Sequence, residues 1–175
     1  MARPSTVRRV HAAVMALAER GGPAALSMEG IAAQAGVGKQ TLYRSWPSVH
    51  AILFDALVAE SADADESFDG ASVVEVLQAT IDEITTEPRG TLLRTLAAAI
   101  QVDEAVAREF RTRLFEPQRE QIIRFLAASG YANPRQAAES LLAPIFYRWF
   151  LRLPPFTRDE LHEHVEAVRR GERAS

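Results

Sequence analysis

The stretch Leu26–Leu57, LSMEGIAAQAGVGKQTLYRSWPSVHAILFDAL, decides how this chain is read. Ser27 is placed to cap a short helix over 28–35, and Gly36 to end it by taking the left-handed conformation that side chains resist. Val37 and Gly38 make a turn, and a second short helix spans 39–45. Pro47 cannot continue that helix but suits the start of the next, over 48–62. Two short helices about a tight glycine-containing turn are what a helix-turn-helix requires. Ile31, Ala32, Ala35, Val37 and Leu42 are the apolar residues that pack the pair, and the two alanines let the helices cross closely.

The second helix then presents Lys39, Gln40, Thr41, Tyr43, Arg44 and Ser45 away from that packing. A glutamine can pair bidentately with adenine, and a threonine methyl can meet a thymine methyl in the major groove. Lys39 is the only lysine in the chain. The amide end of the first short helix, at Ser27 and Met28, can hold a phosphate. Trp46 reads as a packing residue between the second helix and the one that follows.

Working outward, the chain of 175 residues is long enough for one medium or two small domains, and 47% hydrophobic with 25% charged is ordinary for a globular protein. Cysteine is absent, which excludes a disulfide framework, a thiolate metal site and a cysteine nucleophile. No apolar run approaches the roughly 20 residues that span a bilayer, so no membrane partner is expected, and the expected location is cytoplasmic. Residues 1–50 carry six cations against two anions, four net positive, which leaves seven net negative in a chain whose total is −3. A basic head on an acidic body suits a protein that touches a polyanion with one end. Arg3, Arg8 and Arg9 could reach DNA backbone or minor groove as a basic arm does.

β-branched alternation is nearly absent, so an all-α fold of about nine helices is expected. The first runs over 5–21, with Ser5 or Thr6 as N-cap. After a polar, acidic loop over 61–70, further helices are expected near 71–85, 90–100, 103–128, 134–153 and 158–170. Asp103, the pair Asn133-Pro134 and the box Thr157–Glu160 supply their starts, and Pro154-Pro155 a stop. Pro117 and Pro144 fall inside helical patterns, where each removes a hydrogen bond and should kink its helix.

The run GVGKQTLYRSWPS resembles the signature of the TetR family of transcriptional regulators, over residues 8–60. The resemblance implies an N-terminal helix-turn-helix DNA-binding domain, residues 1–50, and a helical regulatory domain, residues 51–175, for ligand binding and dimerisation. It implies a homodimer on a palindromic double-stranded DNA operator, a small-molecule effector of unknown identity, no cofactor and no enzymatic activity. Two positions depart from the pattern. Family members often carry Asp at the place of Gly30 and Lys at the place of Val49, and the second departure removes a phosphate contact that His50 or Ser48 could replace.

In the expected 134–153 helix, Leu142, Phe146, Trp149 and Leu153 form one apolar stripe. A helix that is apolar nearly all round must be covered on more than one face. The resemblance assigns one of those faces to a second copy, with Leu161, Val165 and Val168 contributed by the last helix. A pocket among the helices would draw on Phe54, Phe110, Leu114, Phe115, Phe146, Tyr147 and Trp149, with Arg113 and Gln121 as polar groups. His162 and His164, two apart on a helix, point away from each other and make no metal pair. No spacing supports a catalytic triad, a phosphate loop or a carboxylate pair. Two rival readings remain: a regulator of this fold without a small ligand, and a helical binding protein or enzyme that merely contains a helix-turn-helix.

Overall fold

The computed structural model describes residues 3–63, 68 and 70–173, without the side chains of residues 62, 63 and 173. It is all-helical among those residues. The helices are α1 (Pro4–Gly21), α2 (Met28–Ala35), α3 (Lys39–Ser45), α4 (Val49–Asp63), α5 (Val73–Thr85), α6 (Arg89–Ala99), α7 (Glu104–Phe110), α8 (Glu116–Ala128), α9 (Pro134–Phe150) and α10 (Arg158–Arg173). A 3₁₀ turn covers Pro23–Ala25 and a π-helical segment covers Arg111–Phe115. The single helix expected over 103–128 is thus α7, the π segment and α8 in succession, and counted as one it brings the described helices to nine. Half of the acidic stretch 61–70 lies outside the described residues, and its first part belongs to α4.

Two compact units divide the chain. One holds Met1–Asp65 with Thr86–Leu114, the other Glu66–Thr85 with Phe115–Ser175. In the first, α1 packs on α2, α4 and α6, α2 on α3, and α4 on α6 and α7. Val10, Val14, Ile31, Leu42, Ile52, Leu57 and Leu96 are at most 1% exposed, and removing each such side chain from water contributes roughly 1.5–3 kcal/mol. α1 starts one residue before the expected span, at Pro4, because a proline at the first helical position has its φ already set and no amide to satisfy. Its N-cap is therefore Arg3, without a side-chain cap, and neither Ser5 nor Thr6.

In the second unit α5, α9 and α10 pack together and α8 packs on α9. The caps read from sequence form: Asp103 Oδ1 accepts from the amides of Ala105 and Val106, and Asn133 Oδ1 from Gln136. The Thr157 amide donates to Glu160 at 2.7 Å while the Glu160 amide donates to Thr157 Oγ1. Ser72 and Glu75 make an identical box at the start of α5, where the amide of Ser72 donates to Glu75 at 2.7 Å. Hydrogen bonds from the backbone and hydroxyl of Ser72 hold the Glu75 carboxyl below its ordinary range, and Thr157 does the same to Glu160.

α9 ends at Phe150, three residues before the span expected from Pro154-Pro155, because Leu151 leaves the helix and Arg152 turns at φ 56°. Leu153 therefore is not part of a helical stripe with Leu142. Packing also corrects the expected dimer face. Leu142, Leu161 and Val165 are 5%, 0% and 5% exposed within this one chain, so a second copy has no surface of theirs to cover. Among the described residues of this unit, the large apolar side chains left open are Tyr147, Phe150, Leu151 and Leu153, at 45–61% exposure. Phe146, Trp149 and Val168 are half-buried; Trp149 donates to the Ile84 carbonyl at 3.0 Å, and Phe146 meets Phe115 and Trp149 edge to face.

Candidate nucleic-acid interface

Ser27 opens α2: its Oγ accepts from the Gly30 amide at 3.0 Å. A side chain at Gly30 would place its Cβ 2.9 Å from the Ala25 carbonyl and 3.1 Å from Ser27 Oγ. The 3₁₀ turn crowds that position, which gives a local reason for glycine where the family pattern has aspartate. At the other end Gly36 takes φ 60°, ψ 40° and its amide returns to the helix, so the chain reverses without a Cβ clash. Arg9 Nη2 donates to the carbonyls of Ala35 and Gly36. The guanidinium that could have served a basic arm is thereby bound to the turn itself.

α3 follows from Gly38. Leu42 at 1% and Trp46 at 4% exposure, one helical turn apart, are its inward stripe. Gln40, Tyr43 and Arg44 are exposed, Tyr43 at 50%, and Thr41 is half-exposed. Lys39 is exposed and pairs with Glu29 at 3.5 Å, a contact that water screens and a phosphate can displace. Ser45 is partly buried and its hydroxyl donates to the Thr41 carbonyl at 3.2 Å. The Met28 side chain is 7% exposed and belongs to the core, so its backbone amide is the group it offers a ligand, as expected of the amide end of α2. His50 is partly exposed, while Ser48 Oγ accepts from the Ala51 amide and so caps α4.

Trp46 was expected to pack between α3 and α4, but its partner Asp55, which local patterns did not single out, holds this surface in place. The Trp46 indole donates to Asp55 at 2.8 Å, and Arg113 donates to the other oxygen of that carboxylate at 2.9 Å. Periodicity and composition carry no trace of pairs separated by nine and 58 residues.

The expected pocket residues fall into separate groups. Phe54 is 1% exposed, with the Arg113 guanidinium 5.8 Å above its ring, and Phe110 and Leu114 are half-buried in the same unit. Gln121, Phe146 and Tyr147 belong to the other unit. Tyr147 is 61% exposed, on the side of α9 away from the buried Leu141 and Ile145, and so faces away from the core in which a pocket was expected.

Comparison with known proteins gives the same reading of both ends. A family model described as "Bacterial regulatory proteins, tetR family" matches residues 10–56, and one described as "Tetracyclin repressor-like, C-terminal domain" matches residues 70–168. An uncharacterized HTH-type transcriptional regulator of Bacillus subtilis (strain 168), YdeS, is 30% identical over 149 residues, covering 79% of this chain and 73% of the relative. Among solved structures, the TetR family transcription regulator SCO0332 superposes with a TM-score of 0.71 at 24% identity, covering 91% of this chain and 94% of its own. The flavonoid-responsive regulator FrrA gives 0.62 at 20% identity, covering 95% and 94%. At such identities these two establish likeness of fold. Among the described residues no helix is long and apolar enough to cross a membrane. The exposed polar face of α3 on a buried Leu42–Trp46 stripe and the match along both halves together place the chain in the TetR family of bacterial transcriptional regulators.

Proposed function

We propose that the chain represses transcription as a homodimer that binds a palindromic operator and is released by a small molecule. Residues 1–50 would read DNA and residues 51–175 would regulate that reading. The observation that carries the proposal is the open face of α3, where Gln40, Tyr43 and Arg44 project from a helix anchored by two buried side chains. In this reading α3 enters the major groove, Gln40 and Thr41 read base edges, and Lys39, Tyr43, Arg44 and His50 contact the backbone. The α2 amides at Ser27 and Met28 hold a phosphate.

A two-fold dimer would set its two recognition helices about 34–36 Å apart, one turn of duplex. The exposed Tyr147, Phe150, Leu151 and Leu153 supply an apolar face for the second copy. The effector must bind the DNA-competent and incompetent states unequally, or the equilibrium does not move. The test is a gel shift of the purified protein on the DNA upstream of its own gene at two salt concentrations. Tight, salt-sensitive binding that resists competitor supports the reading. Weak binding, equal on all fragments across the flanking region, counts against it.

A further inference from the structure

The buried Trp46 closes α3 and its single N–H donates to Asp55 Oδ2 at 2.8 Å. Oδ1 of the same carboxylate accepts from Arg113 Nη2 at 2.9 Å. Arg113 is the third residue of the π-helical segment Arg111–Phe115, its Nη1 lies 3.6 Å from Glu109, and its guanidinium covers the ring of Phe54. Each oxygen of Asp55 thus serves a different element: one holds the foot of α3, the other holds the π segment.

Side-chain exposures of 35% and 40% make the Arg113–Asp55 pair a weak source of stability, because solvent screens it. Its geometry is more informative than its energy. An indole N–H removed from water needs its acceptor, so the position of the Asp55 carboxylate fixes where Trp46 can sit. π segments inside helices recur at functional sites, where the widened turn re-aims a side chain. Here the re-aimed side chain is the one that clamps Asp55.

We propose that Asp55 and Arg113 are positioning residues for DNA recognition, linking the π segment to the recognition helix through Trp46; the inference rests on the DNA-binding reading of α3. A change in the π segment that withdraws Arg113 frees the carboxylate to rotate, and the indole and the C-terminal end of α3 follow it.

The test uses the full chain and its two tryptophans, Trp46 and Trp149. Their indole N–H resonances are assigned with Trp149→Phe and followed in Arg113→Met, which keeps the stem over Phe54 and removes the donors. The expected result is a displaced Trp46 resonance and an unmoved Trp149 resonance. Affinity for a duplex selected by the native chain from a randomised pool should fall about fivefold, the scale of one lost, solvent-screened hydrogen bond. Arg113→Lys should recover both. If Arg113→Met loses the Trp149 resonance and its helicity, Asp55→Asn replaces it: the amide still accepts from the indole but no longer holds the guanidinium. An unmoved Trp46 resonance, or a displaced one with unchanged affinity, overturns the positioning role. A native chain that selects no duplex overturns the DNA-binding reading itself, a result distinct from a fixed resonance.

Discussion

The Arg9 guanidinium on α1 donates through Nη2 to the carbonyls of Ala35 and Gly36, at 2.5 and 2.6 Å, where α2 ends and the turn into α3 begins. A cation at a helix C-terminus satisfies orphan carbonyls and the helix dipole together. Arg9→Met should cost about 1–3 kcal/mol in urea denaturation. The slope of log K against log salt should stay as in the native protein, because a guanidinium bound to the turn releases no counterion from DNA. A slope reduced by about one unit would place Arg9 on a phosphate instead.

Tyr43 is half-exposed on α3 and packs into no core. Tyr43→Ala should abolish operator binding while the thermal midpoint stays within a few degrees. A collapse of the fold would make Tyr43 structural and remove it from the DNA face.

Val49 stands at the first position of α4, where the family pattern has a lysine. Val49→Lys should tighten DNA binding at low salt and steepen the salt dependence by about one counterion. Binding that is unchanged at every salt concentration would show that position 49 faces no phosphate.

The open apolar face of α9 sets the expectation for assembly. Tyr147→Ser with Phe150→Ser should convert dimers to monomers by light scattering, with little loss of helicity, since both side chains are more than half exposed. A double variant that remains dimeric would place the interface elsewhere.

His11 gives the pH dependence a direction. Burial lowers its pKa from the ordinary histidine value of 6.5, and the negative charge of Asp55 only partly opposes that. A base whose folded pKa is depressed binds protons more readily when unfolded. Stability is therefore fully present above pH 6.5 and declines as pH falls below it toward the folded pKa. His11→Gln should flatten this part of the stability curve in denaturation measured from pH 8 to pH 5. A native curve that is flat over that interval would contradict the burial of a neutral ring.

Local chemistry made much of this molecule legible. Ser27, Gly36, Asp103, Asn133 and Thr157 act within a few residues of themselves, so their roles as caps and stops can be read from their immediate neighbours. The seven residues of α3 and their polar face follow from Leu42 and Trp46 at a spacing of one turn. The start of α5 was equally readable, since Ser72 and Glu75 have the spacing of a capping box. Which aromatic side chains are buried was not, because residues such as Phe54 and Tyr147 have the same composition signal whether buried or open.

Chain-local chemistry set most of the helices, the caps at Ser27, Asp103, Asn133 and Thr157, and the family resemblance, because hydrogen bonds within a turn and apolar periodicity depend on neighbours in the chain. Tertiary structure alone decided which apolar residues are spent on the core and which remain open: Leu142 and Leu161 are buried, whereas Tyr147 and Phe150 are not. It alone took Arg9 for the turn, Met28 for the core and Asp55 for Trp46. Those outcomes depend on which helix faces meet, and contacts across tens of residues leave no periodic mark in the chain that makes them.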